Sequence, residues 1–141
     1  MSKTLRILTL AIVLIVAVWP LLTAAEEEPG NAARGRASFN LYCSSCHGKS
    51  AKGDGPVAYS LKVAPADLTQ LSISNGGKFP TDQTHAYIDG RRNVAAHGPS
   101  DMPVWGLSFQ DPGKDTNQEA MVLHKIKDLV AYIESVQEKG R

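Results

Sequence analysis

The chain's only two cysteines stand three residues apart and run directly into a histidine, in Cys43-Ser44-Ser45-Cys46-His47. In an exported chain the plain reading of such a pair is a disulfide, as in a redox dithiol. A redox dithiol belongs at a strand-to-helix junction, however, and no strand-period run surrounds this one. The adjacent imidazole would also have no part to play. The other reading is covalent haem attachment, in which each thiol adds to a vinyl group and the following histidine ligates the iron. One turn of backbone brings both sulfurs to one porphyrin edge and sets the imidazole beneath the metal. A chain built on this segment has to wrap a prosthetic group.

The rest of the sequence agrees with a core supplied from outside. The first 25 residues hold 18 of the hydrophobic residues, with Lys3 and Arg6 and no acid, which reads as an export signal or an anchor. The remaining 116 residues form one small domain, with 12 Gly and 7 Pro and 12 Ala among their few apolar residues. Turns and loops held by something other than their own side chains are expected. That domain carries 13 Lys and Arg against 14 Asp and Glu, so a nucleic-acid partner, which demands a basic excess, is disfavoured.

Within the leader, the small residues Thr23 and Ala25 fit a signal-peptidase site and give a mature start at Glu26. The competing reading is an uncleaved anchor, because Leu5 to Ala25 is long enough to span a bilayer. Either way Lys3 and Arg6 stay inside, and the domain is periplasmic or held at the outer face of the membrane. Residues 26–32, with Glu26-Glu27-Glu28-Pro29-Gly30, read as a solvated linker, and 33–141 as the folded domain.

A six-coordinate iron needs a second axial ligand, and Met102, Met121, His85, His97 and His124 are the candidates. Met102 lies in Asp101-Met102-Pro103-Val104-Trp105-Gly106, a Pro- and Gly-punctuated loop able to present a side chain. Met121 and His124 fall in a helical pattern, where Met is a core filler and a lone His a surface residue. His97, on the same connection as Met102, is the competitor and would give bis-His iron.

These segments resemble the class I, mitochondrial-like monohaem cytochromes c of the bacterial periplasmic type, over roughly residues 33–138. The C-S-S-C-H site and the D-M-P-V-W-G loop carry the resemblance most strongly. It implies an all-α fold of three to five helices around one covalent haem c, with crossing N- and C-terminal helices. It also implies thioether links at Cys43 and Cys46 and axial ligation by His47 and Met102. Gly35 and Phe39 match the family's contact on the first helix, and Leu129 and Tyr132 match it on the last.

The residue patterns point the same way. Thr116-Asn117-Gln118-Glu119 is a capping box, followed by Val122, Ile126, Leu129, Ile133 and Val136 along one helix face that ends before Gly140. Ala33 to Tyr42 forms a shorter helix into the attachment site. Pro80-Thr81-Asp82 starts another that Gly90 stops, and residues 48–79 are loop with short helical pieces. His47 needs a backbone acceptor for Nδ1–H, from the Gly55-Pro56 or the Ala64-Pro65 turn. Arg91, Arg92, Tyr87 and Trp105 are candidates to hold the propionates.

Iron closed on both faces by protein ligands changes oxidation state without opening a site. The expected function is therefore one-electron transfer, not catalysis, between a quinol-linked complex or dehydrogenase and a terminal oxidase or reductase. Two alternatives stand beside it: a haem subunit of a larger oxidoreductase, and a small-ligand-reactive, peroxidase-like haem if Met102 does not stay bound. The resemblance further implies docking through lysines near the haem edge, with Lys49, Lys52, Lys62 and Lys78 in the right loops and a membrane contact only if the leader is retained.

Overall fold

A computed structural model describes residues 28–91, 102–111, 113 and 118–140. The leader, Arg92, His97, and Thr116 and Asn117 of the capping box lie outside the described residues. Among the described residues there are six α-helical segments, two 3-10 turns and no strand. The helices are α1 (Ala32–Tyr42), α2 (Ser44–His47), α3 (Leu71–Ser74), α4 (Thr81–Asp89), α5 (Trp105–Ser108) and α6 (Gln118–Ser135). The chain is all-α, with α1, α4 and α6 as its longer helices and three single turns between them.

The frame is the crossing of α1 and α6. Only Gly35 and Phe39 of α1 are buried, too little to hold an 11-residue helix by itself, so its stability comes from the partner face. That face is Val122, Ile126, Leu129 and Ile133 of α6, all nearly inaccessible, as the sequence pattern requires. The Phe39 and Tyr132 rings meet with centroids 5.1 Å apart. A β-carbon on Gly35 would collide with the Asp128 carbonyl oxygen, so the missing side chain sets how closely the helices approach. Val136 lies one residue past the end of α6 and is half-buried.

Three expectations about this region change. α1 begins at Ala32, capped by the Asn31 side chain, which accepts from the Arg34 N–H at 3.0 Å. Gly30 is packed against Lys127 and Ala131 of α6, so the described part of 26–32 is not solvated throughout. Met121 is 51% exposed and fills no core, because it falls one residue before the buried stripe that opens at Val122.

α4 follows the expected plan, with Pro80 at its N-terminus and Gly90 closing it in a left-handed conformation, φ 65°. Residues 48–79 are mostly irregular, with 3-10 turns at Ala58–Ser60 and Leu68–Gln70 and the single turn α3. The D-M-P-V-W-G segment is not loop throughout. At Trp105 it coils into α5, and Trp105 stacks on Phe109 just past its end at 5.2 Å, with Tyr42 of α1 5.7 Å from Trp105.

Candidate functional site

The attachment motif sits where α1 ends and α2 turns away. Cys43 accepts at its carbonyl from the Cys46 and His47 N–H groups, at 3.2 and 2.9 Å, closing one tight turn. The carbonyls that this turn leaves over are taken up by the next loop. Gly55 N–H donates to Cys46 O at 3.0 Å and Gly53 N–H to His47 O at 2.9 Å. The motif is thus fixed from both sides by backbone.

Cys43 and Cys46 are free thiols. Cys43 is buried, and its surroundings push its pKa up to about 12, with burial the main cause and the neighbouring Cys46 sulfur adding to it. A thiol so placed stays neutral, and conversion to a thioether costs it no ionisation. Cys46 is half-buried, one turn away.

His47 Nδ1 lies 3.2 Å from the carbonyl oxygen of Ala66. A carbonyl only accepts, so Nδ1 holds the proton and Nε2 keeps its lone pair, the form in which an imidazole ligates a metal. Burial lowers the His47 pKa, opposed by the Ala66 hydrogen bond, and so favours the neutral ring. Of the two turns expected to supply the acceptor, the one at Ala64-Pro65 does so, through the residue after its proline.

Cys43 and His47 open onto a cavity of about 410 Å³. Phe39, Leu129 and Ile133 wall it from the crossed helices, Leu68 and Leu71 from the 68–74 turns, and Thr84, Tyr87 and Ile88 from α4. Met102 lines it too. The other described ligand candidates do not: His85 and His124 lie away from it, and Met121 is on the surface. Cys43, Cys46 and His47 do not converge as a metal cluster, and among the described residues no group of three or more His, Cys, Asp or Glu does. An apolar cavity edged by a buried thiol and an Nε2-free imidazole fits a flat, covalently held macrocycle.

The propionate candidates divide. Tyr87 lines the cavity. Trp105 is packed in the aromatic cluster, and Arg91 is held by Asp89 and Glu119, so neither faces it. Arg92 is outside the described residues. Among the lysines, Lys49, Lys62 and Lys78 are exposed, whereas Lys52 Nζ is paired with Glu138 at 2.7 Å.

Sequence reasoning missed Asp128, 7% exposed on the buried face of α6. Its carboxylate takes the Asn31 N–H at 2.6 Å and the Arg34 Nε at 2.8 Å, tying the start of α1 to α6. The only signal was a carboxylate one position before Leu129, on an otherwise apolar stripe.

No helix among the described residues is long and apolar enough to cross a membrane. No curated protein and no solved structure matches the sequence. A family model described as cytochrome C oxidase, cbb3-type, subunit III matches residues 30–133, from the Gly30 contact on α6 to Ile133 in the cavity wall. Since that match takes in the attachment motif, Met102 and both crossed helices, the chain belongs to the cbb3-type cytochrome c oxidase subunit III family, a class I monohaem cytochrome c domain.

Proposed function

We propose that this domain carries one electron at a time on a single haem c, bound through Cys43 and Cys46 and ligated by His47 and Met102. Membership of the family supports haem-based electron transfer in an oxidoreductase setting. The observation that carries the finer reading is that Met102 and His47 line one cavity with the buried Cys43, while His47 Nδ1 is committed to Ala66. Haem c bound there supplies a one-electron iron couple.

The chain's own residues set its terms. Ala66 orients the His47 ring and strengthens it as a donor. The Met102 thioether, a soft ligand, favours the ferrous state and raises the potential. Phe39, Leu129, Ile133 and Ile88 exclude water, which limits the reorganisation accompanying each charge change. A haem held by both His47 and Met102 would offer no open site to peroxide or O₂, so the domain would act as a carrier and not as a catalyst.

The donor is a quinol-linked complex or dehydrogenase and the acceptor a terminal oxidase or reductase. The match to an oxidase subunit favours a domain fixed in such an assembly over a freely diffusing one. The leader exports it, and retention of residues 1–25 would tether it to the membrane.

Optical spectra of the holoprotein test this directly. A weak long-wavelength sulfur-to-iron band in the ferric state, its loss in Met102→Ala, and no carbon monoxide binding by the ferrous wild type are expected. Ready carbon monoxide binding by the wild type would instead identify an open, ligand-reactive haem.

A further inference from the structure

Arg91 is the most heavily engaged cation among the described residues. Its Nε bonds Asp89 Oδ1, its Nη2 reaches Asp89 Oδ2 at 3.1 Å, and its guanidinium also forks onto the Glu119 carboxylate at 2.6 and 3.0 Å. The arginine therefore joins the end of α4 to the first turn of α6. Its side chain is only 20% exposed, because a third segment covers it.

That segment is the one following Met102. A β-carbon on Gly106 would strike Asp89 Oδ1 and come within 2.8 Å of the Arg91 Cδ, so the bare backbone of α5 lies directly on the ion pair. One residue along, Gly90 meets Val104, with a β-carbon there 3.3 Å from its Cα. Residues 89–91 thus form the bed on which Val104–Gly106 rest. Only Pro103 separates that bed from Met102, and proline permits little rotation between them.

We propose that Arg91 is a positioning residue for Met102: clamped by Asp89 and Glu119, it seats Val104–Gly106 and thereby holds the Met102 thioether in the cavity that His47 enters. The inference rests on the His47/Met102 reading above and adds what keeps the methionine in place. Arginine is needed because its planar fork serves two carboxylates at once, which a lysine ammonium cannot do with the same geometry. Glycine at 106 is needed because any side chain would lift α5 off the guanidinium.

The test uses ferric and ferrous holoprotein of the wild type, Arg91→Gln, Arg91→Lys and Glu119→Gln. Lys52→Gln combined with Glu138→Gln serves as a control because it removes an ion pair between other segments and leaves the net charge unchanged. Arg91→Gln should weaken the sulfur-to-iron band, lower the reduction potential and raise ferrous carbon monoxide affinity about 10- to 100-fold. Glu119→Gln, at a largely exposed carboxylate, should shift the same three readouts less, and Arg91→Lys should restore them in part. The Lys52→Gln, Glu138→Gln control should leave all three unchanged even where it lowers the melting temperature. A wild type with the band, beside an Arg91→Gln and Glu119→Gln that keep it and refuse carbon monoxide, overturns the role of Arg91 alone. A wild type without the band overturns the His47/Met102 reading on which that role depends.

Discussion

The imidazole of His47 donates through Nδ1 to the carbonyl oxygen of Ala66 at 3.2 Å, across 19 residues of irregular chain. Gly53 lies between those two stretches and touches both. Gly53 donates its N–H to His47 O, adopts φ 79°, and would press a β-carbon into the Pro65 carbonyl oxygen.

Gly53→Ala should therefore displace the Pro65–Ala66 turn from His47. A longer, weaker hydrogen bond from Nδ1–H to the Ala66 carbonyl makes the ring a weaker donor to iron, so the reduction potential should rise. The positive φ should also cost about 1–2 kcal/mol of stability. Potentiometric titration and denaturant unfolding of the holoprotein check the two effects, and an unchanged potential would show that Ala66 does not tune the ligand.

Gly35→Ala tests the helix crossing separately from the haem site. The new methyl group meets the Asp128 carbonyl and lies 2.8 Å from the Tyr132 Cβ, and neither can retreat without separating α1 from α6. Overpacking of this kind costs about 1–3 kcal/mol. Chemical denaturation should show the loss, with the axial ligand spectrum unaltered in the protein that remains folded.

What the sequence disclosed depends on how local each cause is. The attachment site, α4 between Pro80 and Gly90, and the buried stripe of α6 are written in spacing and punctuation within a few residues of one another. Gly35 was legible because a glycine inside a helix loses propensity and needs a packing reason. Met102 was singled out from loop chemistry and from the resemblance, and it lines the cavity together with Cys43 and His47. By contrast, the Asp128 contacts with Asn31 and Arg34, the Glu138 pair with Lys52 and the Glu119 pair with Arg91 join positions far apart in the chain. A charged residue does not announce its partner, so Glu119 was read only as part of a capping box, Arg91 as a propionate candidate and Lys52 as a docking lysine. Trp105 gave the opposite error: an aromatic beside the ligand loop suggested a propionate contact, but packing with Tyr42 and Phe109 claimed the ring.

Acid should reach the α1–α6 junction before it reaches most of the core. Burial by itself would raise the Asp128 pKa, but the hydrogen bonds from Arg34 and the Asn31 N–H outweigh it and hold the carboxyl below its ordinary value. A depressed carboxylate pKa contributes stability that is complete above the unfolded value, about 3.9, and is lost as the pH falls through the native one. Asp128→Asn should cost about 1–2 kcal/mol at neutral pH, after discounting for the exposed Arg34. Its stability should also fall less steeply than that of the wild type below about pH 4. Equal acid slopes for the two proteins would remove Asp128 from the account.

Partner docking gives a prediction about charge that the pairing of Lys52 sharpens. Lys52 and Glu138 form a neutral unit, and Gln70 Nε2 adds a second bond to that carboxylate at 2.6 Å, so the pair adds no net positive field near the cavity. Lys49, Lys62 and Lys78 are exposed and are left to attract an acidic partner surface. Neutralising both members of the pair, Lys52→Gln with Glu138→Gln, should leave the bimolecular electron-transfer rate within about twofold at low salt, because the net charge is unchanged. Lys49→Glu combined with Lys62→Glu removes four units of charge and should slow that rate about tenfold or more, with the deficit closing as ionic strength rises and screening shortens to about 10 Å at 0.1 M salt. Stopped-flow rates against an acidic redox partner over a salt series make the comparison. A Lys49/Lys62 double variant as fast as the wild type at low salt would place the docking face elsewhere on the domain.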